Sequence, residues 1–256
     1  MALVVLFGCL LLLLQPGRAI RSKHVNNKFV DSTTTEGVSV TIPDGVVVGF
    51  QQTVVNNYTN ESHNINVFRG IPYATPPVGD MRFRPPSKPT PWTSPLDATQ
   101  WPASCPQFGS GGDVNSSRAW RSLNLTVSSE DCLYINVYAP ATTNSTSPTD
   151  NGDKLTTNAG PFPVMVYLHA GEFRFGSSHD AENQLPFFAP DRVVLVTLNV
   201  RLGVLGFAAL DELRNRDPSG STGNYGMQDH RAGLEWVQRS ISAFGGDPKR
   251  VTIFGE

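Results

Sequence analysis

Two short strings, each closing an apolar run, carry residue types suited to acyl chemistry. One is His169-Ala170-Gly171-Glu172-Phe173, which closes the run Pro163-Val164-Met165-Val166-Tyr167-Leu168. The other is Gly255-Glu256, which closes Val251-Thr252-Ile253-Phe254. Small residues after a buried strand let backbone N–H groups approach a substrate oxygen, where they stabilise a tetrahedral oxyanion. A strand ending in Gly-x is the approach to a nucleophile elbow, Gly-x-Ser-x-Gly, whose sharp turn lifts a serine to the top of a sheet. Glycine is needed there because a Cβ would clash at so tight a turn. A serine would then follow Glu256, where the given sequence stops. Taken alone, each string also fits an ordinary strand end.

The elements around these strings must position them. Val38–Val40 and Val46–Phe50, split by Pro43-Asp44-Gly45, read as a hairpin. Asn64–Arg69 and Leu133–Tyr138 read as further strands, while proline-rich 70–102 excludes long helices and central strands. Pro163–His169, Val193–Val200 and Val251–Phe254 read as buried strands. Gly223–Phe244 reads as a helix with Leu234, Val237 and Ile241 on one face, ended by Gly245-Gly246-Asp247-Pro248. Continuous apolar strands separated by helical or loop segments predict an α/β fold with a mostly parallel sheet covered on both faces. The hairpins are antiparallel additions at its N-terminal edge. Residues 141–158 read as an exposed polar loop.

The chain resembles the type-B carboxylesterase/cholinesterase family, of α/β-hydrolase fold, over residues 36–256. The segments that carry the resemblance are Phe68-Arg69-Gly70-Ile71-Pro72-Tyr73-Ala74 with Pro76-Pro77-Val78-Gly79, and Met81-Arg82-Phe83. They continue with Ser129-Glu130-Asp131-Cys132-Leu133-Tyr134, Asn199-Val200-Arg201-Leu202-Gly203, Gly223-Asn224-Tyr225-Gly226-Met227-Gln228-Asp229 and Phe244-Gly245-Gly246-Asp247-Pro248. The pentapeptide from His169 is similar to the His-Gly-Gly-Gly loop of esterases and lipases. The resemblance implies that Gly171 and Glu172 supply the oxyanion-hole N–H groups and that Glu256 is the acid preceding the nucleophile. It implies a Cys105–Cys132 disulfide and two buried ion pairs, Arg82–Glu130 and Arg201–Asp229, that fix loop geometry. The expected partner is a small-molecule ester, with no metal or cofactor.

The chain also departs from the family pattern. The family order is Ser…Asp/Glu…His, so the nucleophile, acid and histidine are all expected beyond Glu256. None of the five histidines (His24, His63, His169, His179, His230) matches the catalytic one. The chain is therefore expected to be the N-terminal portion of an esterase and inactive by itself. Ending at Val251–Phe254 would also leave a hydrophobic strand edge, which favours aggregation. Glu172 and Ala170 stand where the loop carries glycines. A carboxylate aimed inward would oppose an oxyanion, since loss of one donor costs about 10²–10³ in rate; aimed outward, its effect would be small. Trp120 lies two positions nearer the N-terminus than a choline-stacking tryptophan, so it reads as loop packing and the ancestry as a general carboxylesterase. A catalytically dead adhesion or binding ectodomain of the same family is the alternative.

The two ends and the composition bound the compartment. Residues 1–19 have the plan of a signal peptide, with apolar Ala2–Leu14 too short to span a bilayer and Gly17-Arg18-Ala19 offering a cleavage site. Residues 20–35 read as a loose polar segment, and 36–256 as a partial esterase domain. Removal of Cys9 would leave Cys105 and Cys132, which in an oxidising compartment most simply pair. Asn57, Asn60, Asn115, Asn124 and Asn144 lie in glycosylation sequons. A net charge of −2 gives no pull towards nucleic acid or an anionic membrane.

Overall fold

The structure is a computed structural model that describes residues 35–55, 61–107, 128–141, 161–179, 188 and 192–255. Signal segment 1–19, Trp120, the five sequon asparagines and Glu256 lie outside the described residues. One mixed sheet organises the rest. Its strands are β1 (Thr35–Ile42), β2 (Gly45–Val55), β3 (Ser62–Pro72), β4 (Leu96–Asp97), β5 (Tyr134–Pro140), β6 (Phe162–Leu168), β7 (Val194–Leu198) and β8 (Gly246–Gly255). They lie in the order β1-β2-β3-β5-β7-β6-β8, with β4 beside β2. The hairpin expected around Pro43-Asp44 is β1–β2, with Ile42 opposite Gly45.

The antiparallel part reaches beyond the N-terminal hairpins. β5 runs antiparallel to both β3 and β7, and only β7, β6 and β8 form a parallel run in the body of the sheet. Parallel neighbours need a crossover of a dozen or more residues, which segments 169–193 and 199–245 supply for β7 and β8. Coverage of the two faces is unequal. β7 is buried along its whole length. On β6, Phe162, Val164 and Val166 are buried while Met165 and Tyr167 are half-buried. β8 ends the path, and Ile253 there is 50% exposed. Among the described residues the sheet is thus open at β8. The described chain supplies one long helix, and it covers one face.

That helix and two single-turn ones carry the remaining packing. They are α1 (Gly203–Phe207), α2 (Asp211–Arg214) and α3 (Tyr225–Ser240), the last continued by a 3-10 turn over Ile241–Phe244. Trp236, Val237 and Ile241 enter the core formed by Phe68, Ile135, Val137, Val164, Val166 and Val196. Phe244 meets Phe68 edge-on at 4.9 Å and Trp236 at 5.9 Å. Full burial of each such aromatic contributes about 1.5–3 kcal/mol. Arg239 donates to Asp44 at 3.0 Å, so the end of α3 holds the β1–β2 turn.

Cys105 and Cys132 are joined, 27 residues apart, and both are buried. Loop-closure entropy for that spacing amounts to about 3–4 kcal/mol. Cys105→Ser is expected to lower the unfolding free energy of the purified chain by about that much. Urea melts of both proteins check it, and a loss below about 1 kcal/mol would contradict it.

Candidate active site

The C-terminal ends of β6 and β8 bring the two chemistry-bearing strings together. The strands are parallel neighbours, and Leu168 pairs with Gly255. The loop that begins at His169 and the end of β8 thus lie at the same end of the sheet, side by side. In open α/β sheets this is the end where ligands bind. Gly255 allows the closeness: a Cβ there would lie 2.1 Å from the Leu168 carbonyl oxygen.

The loop itself is a tight turn. Arg174 and Phe175 both donate their N–H to the Gly171 carbonyl, at 2.9 and 3.2 Å. Gly171 sits at φ 126°, and a Cβ on it would fall 1.9 Å from the Phe175 carbonyl oxygen. Among the described residues no backbone oxygen accepts from the N–H of Gly171 or Glu172. The loop is pinned at both flanks. Gly203 N–H donates to the Phe173 carbonyl at 2.8 Å, which ties it to α1. Gln107 bonds Gly176 through both halves of its amide, accepting from its N–H at 2.9 Å and donating to its carbonyl at 3.0 Å. A cavity of about 200 Å³ lies between these anchors, lined by Pro106, Gln107, Arg174 and Leu202–Leu205. It adjoins the loop through Arg174 and does not reach Gly171.

Glu172 turns away from this turn. Its side chain is 77% exposed, with the Arg174 guanidinium 3.7 Å from its carboxylate. The carboxylate thus lies in solvent beside Arg174. The cost is conformational. Glu172 holds φ 54° and Phe173 holds φ 58°, in the left-handed region that non-glycine residues rarely adopt. Glu172→Gly relieves about 1–2 kcal/mol of that strain against about 0.5–1 kcal/mol of added chain entropy. The variant is expected to gain about 0.5–1 kcal/mol, read from its denaturation midpoint, and any destabilisation beyond 0.5 kcal/mol would count against it.

The two ion pairs differ in setting. Arg201 and Asp229 are 3% and 0% exposed and meet in a bidentate pair at 2.7 and 2.8 Å. The Arg201 N–H adds a third bond to Asp229 at 3.0 Å, and its remaining arm reaches the Arg84 carbonyl at 2.7 Å. Burial pushes the Asp229 carboxyl up, and the Arg201 hydrogen bonds oppose that shift. Arg82 and Glu130 also meet in a bidentate pair, at 2.5 and 2.6 Å, but are 45% and 27% exposed. Burial was expected for both pairs. Arg82 follows the surface 3-10 turn Gly79–Met81, so its pair stays in contact with solvent, where such pairs contribute little.

A buried polar network behind the site escaped the sequence reading. Gly70 N–H, in the bulge where β3 slips against β5, donates to Asn136 Oδ1 at 2.9 Å. Asn136 Nδ2 donates to Ser178 and Thr197 hydroxyls, both at 3.0 Å. Asn199 accepts from Ser178 N–H at 2.8 Å and donates to Ala103 at 2.9 Å, and Tyr73 donates to the Asn199 carbonyl at 2.7 Å. Burial, with the nearby Asp229 carboxylate, holds the Tyr73 phenol well above its usual range, so it stays a donor. An asparagine within an apolar strand run (Tyr134-Ile135-Asn136-Val137) was the available signal. His179 packs against Trp101 at 4.2 Å with Nε2 3.2 Å from the Pro102 carbonyl, away from the loop.

Over residues 36–256 the sequence matches the family model described as "Carboxylesterase family". The chain belongs to the carboxylesterase family. Fumonisin B1 esterase of Sphingopyxis macrogoltabida is 37% identical over 75% of this chain and 32% of its own length. Neuroligin-2 of Mus musculus is 38% identical over 73% of this chain and 23% of its own. A solved structure of PNB esterase matches with TM-score 0.65 at 36% identity, covering 85% of this chain and 38% of that one. The carboxylesterase chain thus spans between 23% and 38% of the length of these relatives. No described helix is long and apolar enough to cross a membrane.

Proposed function

We propose that this chain supplies the oxyanion loop and the elbow strand of a secreted serine carboxylesterase that acts on small-molecule esters. The observation that supports this most directly is the pairing of Leu168 with Gly255, which sets the His169–Phe173 loop beside the position after β8. A serine directly after Glu256 would attack the ester carbonyl there while a downstream histidine takes its proton. The N–H groups of Gly171 and Glu172 would bear the oxyanion; collapse expels the alcohol and leaves an acyl-serine, which water then hydrolyses. Cys105–Cys132, Arg82–Glu130 and Arg201–Asp229 hold the surrounding loops. Cleavage after Ala19 and glycans on Asn57, Asn60, Asn115, Asn124 and Asn144 belong to the same secreted reading.

By itself the chain lacks nucleophile, acid and base, and it is proposed to be inactive on simple esters. Sequencing the transcript past the Glu256 codon tests the reading: Ser-x-Gly is expected, and a stop codon or any other tripeptide would sink it. The similarity to neuroligin-2 favours a second reading, a catalytically dead binding ectodomain. Labelling of the complete protein by a fluorophosphonate supports the esterase; no labelling with the serine present supports the ectodomain.

A further inference from the structure

Glu172 and Phe173 hold left-handed backbone without being glycine, so the loop must be held in that shape from beneath. The Phe173 ring lies against Phe207 of α1 at 5.2 Å and meets the His230 ring of α3 nearly edge-on, at 6.5 Å and 72°. His230 is 8% exposed, and its Nδ1 is buried with no hydrogen-bond partner among the described residues. His169, the residue that opens the loop, is near enough for its charge to be felt by His230. His230 therefore sits beneath Phe173, the residue that closes the His169–Phe173 pentapeptide.

We infer that His230 is a positioning residue for the oxyanion loop: its neutral ring is the floor on which Phe173 rests, and a proton on it displaces the loop. The inference rests on the reading of 169–173 as an oxyanion loop. An imidazolium in this place would have a buried, unpartnered Nδ1–H, so it would need water. Phe173, half exposed above it, is the nearest cover to move. Among the described residues no other charge compensates. α1 carries no titratable group, Asp229 is taken up by Arg201, and Glu172 and Arg174 point to solvent. Gln238 and β8 meet at the far end of α3.

The direction of the pH effect follows. Burial, and then His169, push the His230 pKa down to about 4, against about 6.5 for an exposed histidine. Between those values the displaced state binds more protons than the seated one. The seated loop is thus fully favoured above about pH 6.5 and is lost progressively as pH falls towards 4.

Two experiments test it. In the purified chain, the NMR shift of the His230 Cε1–H is expected to show the ring still neutral at pH 5.5, with Phe173 ring signals shifting at the midpoint of His230. In His230→Gln the Phe173 shift should vanish. A His230 that titrates like an exposed histidine, or a Phe173 that ignores it, overturns the inference. In the complete protein, His230→Ala is expected to lower kcat about tenfold, short of the loss of a whole oxyanion donor, with KM within about twofold and most of kcat restored by Gln. Equal losses in both variants, or a change in KM alone, also overturn it. If the unsubstituted complete protein hydrolyses no ester, the esterase reading fails and the NMR result alone decides on His230.

Discussion

On the proposed esterase reading, Gly171→Ala is expected to lower kcat/KM of the complete protein by about 10²–10³, the loss associated with one oxyanion donor. The reason is geometric. The new Cβ would lie 1.9 Å from the Phe175 carbonyl oxygen, and the backbone at φ 126° is one that L side chains rarely adopt. The collision is with backbone, so no rotamer change relieves it. The turn must open, and opening it breaks the bonds from Arg174 and Phe175 to the Gly171 carbonyl. The N–H groups of Gly171 and Glu172 then leave the end of the sheet where β6 and β8 converge. KM should change less than kcat, because these donors act on charge that develops only in the transition state. Steady-state kinetics on a chromogenic ester, with the rate of fluorophosphonate labelling, measure the effect. Activity within about threefold of the unsubstituted enzyme would show that these N–H groups bear no oxyanion.

Asp229→Ala is expected to destabilise the purified chain by about 3–5 kcal/mol. Domain stabilities are about 5–15 kcal/mol, so the loss removes a large share of the total. Removing the carboxylate strands a guanidinium that is 3% exposed, together with the Arg201 N–H. One arm keeps the Arg84 carbonyl, and the others lose every partner on Asp229. Asp229→Asn preserves shape and loses charge, so its midpoint should fall between the two. Replacing the pair by Arg201→Met with Asp229→Leu should recover part of the loss, because no buried charge then remains unpaired. Urea melts followed by circular dichroism rank the four proteins. A single-alanine loss below about 1.5 kcal/mol would mean that water reaches Arg201.

The contrast with Arg82–Glu130 shows where sequence reading stops. Both pairs are legible as opposite charges in segments that resemble the family, and both are bidentate here. Only the packing of α3 and the Arg84 carbonyl around Arg201, and the surface turn before Arg82, separate a buried pair from an exposed one. The same holds for Glu172. Its identity was plain in the sequence, and so was the question it raised. Whether it faced the site depended on a left-handed φ that no local pattern announces.

Strands were the most legible elements. Apolar runs bounded by glycine and proline located β6, β7 and β8, and the helical spacing of Leu234, Val237 and Ile241 located α3, because periodicity and turn residues are local properties. The single-turn helices α1 and α2 were not legible, since five and four residues are too few to display a period. Strand order was not legible either. The antiparallel placing of β5 between β3 and β7 is a long-range choice, and the burial pattern of β5 is the same whichever way it runs.

The sequence by itself determined the family, the two strings at strand ends and the cysteines that pair. Those depend on residue identity and spacing along the chain. Tertiary structure alone decided that Leu168 and Gly255 are partners, that Glu172 faces water, that Asn136 and Asn199 tie a bulge to the strands behind the site, and that His230 lies beneath Phe173. Each of these depends on backbone directions and on the burial of groups far apart in sequence, and burial sets both the electrostatics and the cost of an unmade hydrogen bond.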